Sequence, residues 1–82
     1  MKAAIISNID EIADIKTKAV VISFRPSFDD ILQLIASGIK IIQINTAADN
    51  SLSKNSRNLL KHHGIELRVG NIQGLKKDFV EI

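Results

Sequence analysis

The chain has 82 residues, 45% of them apolar and 24% charged, the make-up of an ordinary globular protein and the length of one small α/β domain over residues 1–82. Eleven Lys and Arg against nine Asp and Glu leave a net charge of +2, too weak a bias to imply a polyanionic partner by itself. With no Cys there is no disulfide framework or thiolate metal centre, and no run approaches the ~20 apolar residues of a membrane span.

The N-terminus lacks a basic region followed by a long apolar core and a cleavage site, so the expected location is the cytoplasm, with no membrane partner. A domain of this size buries only about 60% of the surface its unfolded chain exposes. Self-association, as a homodimer, would add to that burial.

In chain order, residues 3–6 are apolar throughout and read as a first strand. Asn8 can cap a short helix that places Ile9, Ile12 and Ile15 on one side. Residues 16–18 turn into the unit around which the chain is organised. Val20, Val21, Ile22 and Phe24 form a second strand, stopped by Pro26, which cannot donate to a sheet ladder. Ser27 caps a helix with Asp30 in its acidic first turn and Phe28, Ile31, Leu32, Leu34 and Ile35 at helical spacing, and Gly38 ends it as a left-handed cap.

Residues 39–44 supply a third strand. Two strands joined through a helix in so short a span are normally parallel, with a right-handed crossover. A polar stretch over residues 46–50 leads to a helix from about 51 to 63, with Leu52, Ser56, Leu59, Leu60 and His63 inward, closed by Gly64. Ile65, Leu67 and Val69 alternate with Glu66 and Arg68, the pattern of a fourth strand with one wet face. In the tail, Leu75, Phe79, Val80 and Ile82 fit either a short helix or a strand that covers a sheet edge.

The sum is a four-stranded parallel sheet with three helices. Two arrangements are open: a doubly wound, Rossmann-like sheet of order 2-1-3-4, and a single-sided curved stack of order 1-2-3-4. The all-apolar first strand favours the former, because a strand at the centre of a sheet needs two covered faces. Val20, Ile22, Phe24, Ile42, Ile44, Ile65, Leu67 and Val69 should face the larger helices. The mixed opposite face, with Val21, Ser23, Ile41, Gln43, Glu66 and Arg68, would be covered by the tail or a second subunit.

Ligands of open parallel sheets bind beyond the carboxyl ends of the strands. Those ends supply Ser7 and Asn8, then Arg25 and Ser27, then Asn45 and Thr46, then Gly70 and Asn71. Arg25 stands out, because a guanidinium and the capped start of a helix could share one anion. The plainer reading makes Ser27 and Asn8 helix caps, Asn45 and Asn71 turn residues, and Arg25 a partner of Asp29 or Asp30.

Ser53 and Lys54 could bind phosphate, although no Gly-rich loop precedes them, and capping is the plainer use. Adjacent His62 and His63 point about 100° apart on a helix and do not make a metal site. The basic residues Lys54, Arg57, Lys61, Arg68, Lys76 and Lys77 could follow a nucleic-acid backbone. Nucleic acid is nonetheless disfavoured, since Tyr and Trp are absent and Phe24 and Phe28 are expected in the core.

The motifs together resemble a small archaeal family of methanogens known as domain of unknown function 1699. The anchors are Phe24-Arg25-Pro26-Ser27 with Asp30-Ile31, then Ile42-Gln43-Ile44, Ser53-Lys54, Gly64-Ile65-Glu66-Leu67, and Gly70 with Gly74, Lys77 and Asp78. The chain departs from the family's tail pattern at Gln73, Leu75 and Lys76. The resemblance implies an archaeal, intracellular protein with a common fold, supplies no reaction, and draws attention to Arg25, Ser53, Lys54, Lys77 and Asp78. No cofactor is expected. A non-catalytic binding or regulatory module is the leading expectation, ahead of a binder or enzyme for a small phosphate or carboxylate ligand.

Overall fold

The computed structural model describes residues 2–70 and 79–81. Strand β1 (Lys2–Ile6) leads through a 3-10 segment (Ile9–Asp14) to β2 (Ala19–Ile22), and helix α1 (Phe28–Ala36) connects β2 to β3 (Ile41–Ile44). Helices α2 (Thr46–Ser51) and α3 (Lys54–His62) precede β4 (Glu66–Val69), and β5 (Phe79–Glu81) is the last described element. The sheet order is β4-β3-β2-β1-β5. The first four strands are parallel neighbours in chain order, with Ala4 beside Val20, Val20 beside Ile42 and Ile42 beside Leu67.

This is the single-sided 1-2-3-4 arrangement and overturns the Rossmann-like order 2-1-3-4. Strand β1 is interior to the sheet, with a neighbour at each edge, but it does not lie between β2 and β3. The second neighbour is β5, which pairs antiparallel with Ala4 opposite Phe79, and not β3. The tail alternative of a strand at a sheet edge therefore holds for Phe79–Glu81.

One side of the sheet carries every described helix. Ala4, Ile6, Val20, Ile22, Ile42 and Ile44 pack there with Ile12 of the 3-10 segment, Ile31 and Leu34 of α1, Ala48 of α2 and Leu60 of α3. The strand faces are thus as expected, with Phe24 and Leu67 packed against this core, except that Val69 at the end of β4 is 50% exposed. The opposite face holds a smaller cluster of Ala3, Ala19 and Val21, flanked by half-buried Ile5 and Ile41. Whether the tail covers this face turns on residues 71–78, which lie outside the described residues.

Local chemistry sets the element ends. Ile9, Ile12 and Ile15 repeat every third residue, the period of a 3-10 turn, which explains why the first helical segment is tightly wound. Gly38 and Gly64 have φ of 83° and 68° and follow the ends of α1 and α3, the left-handed positions that a side chain resists.

The predicted helix over residues 51–63 is divided. Asn45 caps α2 within the stretch read as polar loop, Leu52 turns its side chain into the core with extended backbone, and Ser53 restarts the chain as α3. Phe28 also departs from expectation. It is 42% exposed, as is Leu32 at 45%, because the α1 face on the sheet centres on Ile31 and Leu34 and leaves the other two on its flank.

Candidate functional site

The carboxyl ends of the four parallel strands form one rim, and the structure shows what each candidate side chain does there. Ser7 and Asn8 leave β1. Asn8 accepts from the Asp10 amide at 3.0 Å, while Glu11 accepts from Ser7 Oγ at 2.7 Å, Ser7 N at 3.2 Å and Asn8 Nδ2 at 3.3 Å. Donation from the Ser7 hydroxyl, then from the Ser7 amide, holds the Glu11 carboxyl below the usual carboxylate range. A carboxylate stabilised in this way is a weaker base, so the pair orders the turn and does not activate Ser7 as a nucleophile.

Beyond β2, Ser23 is bound to the Ile6 carbonyl through both its amide and its hydroxyl, at 3.1 Å and 3.3 Å. Ser27 and Asp30 form a reciprocal capping box: Ser27 Oγ accepts from the Asp30 amide at 3.1 Å and Asp30 Oδ2 accepts from the Ser27 amide at 2.9 Å. The α1 N-terminus therefore already holds a carboxylate of its own. Arg25 is exposed and, among the described residues, has no hydrogen-bond or ion-pair partner, so the expected pairing with Asp29 or Asp30 is not formed.

Beyond β3, Asn45 Oδ1 accepts from the Ala48 amide at 2.7 Å as the cap of α2, and Thr46 is the first residue of that helix. Beyond β4, Gly70 donates its amide to the Ile44 carbonyl at 2.9 Å and accepts from Gln43 Nε2 at 3.2 Å. Asn71, Lys77 and Asp78 lie outside the described residues.

Ser53 and Lys54 belong to the start of α3. Ser53 Oγ accepts from the Ser56 amide at 3.1 Å and lies 2.9 Å from the buried Ser56 hydroxyl, so it is a working cap, and Lys54 is exposed. Of the basic segment, Arg57 pairs with Asp49 at 2.7 Å and also donates to the Asp49 carbonyl, while Arg68 pairs with Glu66. Two of its cations are thus met by carboxylates, one of them from outside the segment. His63, expected on the inner side of its helix, is exposed because it is the C-terminal cap residue of α3, and it meets the exposed His62 edge to face at 5.3 Å. Among the described residues no three His, Cys, Asp or Glu side chains group as metal ligands. No described helix is long and apolar enough to cross a membrane.

A sheet whose neighbours follow chain order has no point at which successive crossovers diverge, and that divergence creates the ligand crevice of doubly wound folds. The rim here is a row of capped helix starts. Glu11 was missed as part of it, although Asn8 followed by Glu11 is a capping-box spacing readable in the sequence.

Sequence comparison places the chain in a family. It belongs to the family of unknown function DUF1699. The match is to the N-terminal domain of that family and runs over residues 2–81. Neither the curated proteins nor the solved structures give a match to the chain. In this DUF1699 domain the anchors Arg25, Ser27 and Gly70 stand at the carboxyl rim, and Ser53 and Lys54 at the start of α3.

Proposed function

We propose that this DUF1699 domain is a non-catalytic interaction module that works as a homodimer in the cytoplasm of an archaeal cell. The observation that carries the reading is the use of the rim and of the α3 start: Ser7, Asn8, Ser27 and Asn45 at the first and Ser53 at the second, the groups best suited to chemistry, each bond a neighbouring amide or carboxylate within their own turn. Binding a ligand through them would first break a cap. Small size supports self-association.

Thermal unfolding of the full chain at increasing protein concentration tests the reading. A homodimer melts higher as concentration rises, because association is linked to folding. A midpoint independent of concentration, with a monomer mass by light scattering, counts against it.

Arg25 favours a second reading, a site for a small phosphate or carboxylate, since it is an exposed guanidinium without a described partner at the rim. In that case inorganic phosphate, a nucleotide or a phosphosugar raises the midpoint of the wild-type chain and not of Arg25→Ala. Equal response of the two proteins removes this reading.

A further inference from the structure

Strand β4 lies at one margin of the sheet and pairs, among the described residues, with β3 alone. The Glu66 and Gly70 amides donate inward to the Lys40 and Ile44 carbonyls, each at 2.9 Å. By strand alternation, Leu67 and Val69 turn their N–H and C=O groups outward, to the side that no described strand occupies. Native edges are blunted by Pro, by a bulge, by short length or by charge; β4 has no Pro and an unbroken register with β3, and its four residues carry two charges that cancel. It carries one cation and one anion, Arg68 and Glu66, on the same side of the strand and paired with each other. Val69, at its end, is half exposed.

The sequence Ile65-Glu66-Leu67-Arg68-Val69 is its own complement when a copy is laid antiparallel about a two-fold axis at Leu67. Leu67 then stands opposite its twin as a hydrogen-bonded pair, Glu66 opposite Arg68 of the copy, Arg68 opposite Glu66, and Ile65 opposite the exposed Val69. An antiparallel edge can pair only outward-facing residues with outward-facing ones, so the neighbouring two-fold registers centre on Glu66 or on Arg68. Those place like charges face to face. One register alone matches both the charges and the apolar residues, and a surface that complements itself has a second copy as its partner.

From this we infer that β4 is the homodimer surface, joining two sheets edge to edge about a two-fold axis at Leu67. The inference rests on the self-association proposed above and adds its surface and register. The ion pair of the isolated chain is exchanged in the dimer for two pairs between copies, and the helix-side core is continued by Leu67 meeting Leu67 and Ile65 meeting Val69.

Charge reversal tests it on the full chain, by sedimentation velocity at several concentrations. Glu66 and Arg68 are exposed or half-exposed, so the variants keep the fold, which circular dichroism checks. Glu66→Arg and Arg68→Glu each turn both cross-strand pairs into like-charge pairs and weaken dimerisation roughly tenfold or more, whereas the double variant restores it. A wild-type dimer indifferent to both single reversals, or a double variant as weak as either, overturns the β4 surface and leaves self-association standing. A wild-type chain monomeric at its highest soluble concentration overturns both.

Discussion

Gln43 and Gly70, 27 residues apart, are joined by a hydrogen bond from Gln43 Nε2 to the Gly70 carbonyl at 3.2 Å. The Gly70 amide meanwhile donates to Ile44, so two adjacent residues of β3 hold the point where the chain leaves β4. The first bond is made by a side chain on the face away from the helices, where Gln43 alternates with Ile42 and Ile44 of the main core. Replacing it with Leu leaves the half-buried Gly70 carbonyl without that donor, at a cost of about 1 kcal/mol. The thermal midpoint of Gln43→Leu should fall by about 4–8 °C, as expected for a domain of this size. A β-carbon at Gly70 would come 3.1 Å from Gln43 Nε2, the movable end of a side chain, so Gly70→Ala should cost less than Gln43→Leu.

The Ser7 and Glu11 pair makes a prediction in pH. The Glu11 carboxyl titrates below its ordinary value in the folded chain because Ser7 donates to it through hydroxyl and amide. A depressed folded value contributes stability that is fully present above the unfolded carboxylate pKa, and this contribution is lost as pH falls through the folded pKa. In Ser7→Ala the larger of the two Ser7 donors is gone, so the Glu11 titration midpoint should move up towards the usual range. A carboxyl-detected NMR titration of both proteins measures it, and coincident Glu11 curves would contradict the assignment.

The Ser27 cap is the link between sequence and fold with the clearest expected magnitude. Its hydroxyl satisfies an amide at the start of α1 that has no partner within the helix, and Asp30 returns the bond. Ser27→Ala should lower stability by about 1 kcal/mol, and Ser27→Gly by only a few tenths. Urea unfolding of the two variants, with unchanged m-values, checks both the size and the order.

How much of this was legible follows from the range of the forces involved. Caps and stops act over a few residues, so Ser27, Gly38 and Gly64 could be read directly, and the alternation of Ile65, Leu67 and Val69 gave the orientation of β4. Strand order depends on a pairing between the two ends of the chain. Ala4 beside Phe79 leaves no local trace, and without it the apolar β1 pointed to the wrong neighbour. The division of the third helix is hidden for another reason: of residues 46–50 only Ala48 is buried, so α2 shows no apolar face at helical spacing. At the rim, residue type and position point to Arg25, while its lack of a described partner is visible only in the structure, where the nearby Asp30 carboxylate accepts from the Ser27 amide instead.

The orientation of α1 yields the sharpest contrast in stability. Five apolar residues over the helix cannot all face the sheet, and the structure puts Leu34 at 0% exposure and Leu32 at 45%. Leu34→Ala removes side-chain volume from beneath the helix and should cost about 2–5 kcal/mol, the transfer of the lost methyl groups plus the cavity left behind. That is a large part of the roughly 4–12 kcal/mol that a domain of this size has in total, so the variant should be partly unfolded at moderate temperature. Leu32→Ala loses much less burial and should stay within about 1 kcal/mol of the parent. Equal and large losses from the two variants would mean that Leu32 is covered, either because α1 is rolled about its axis or because a partner sits on its flank. Measuring both below and above the concentration at which the chain associates separates these causes, since burial by a partner is relieved on dilution and a rolled helix is not.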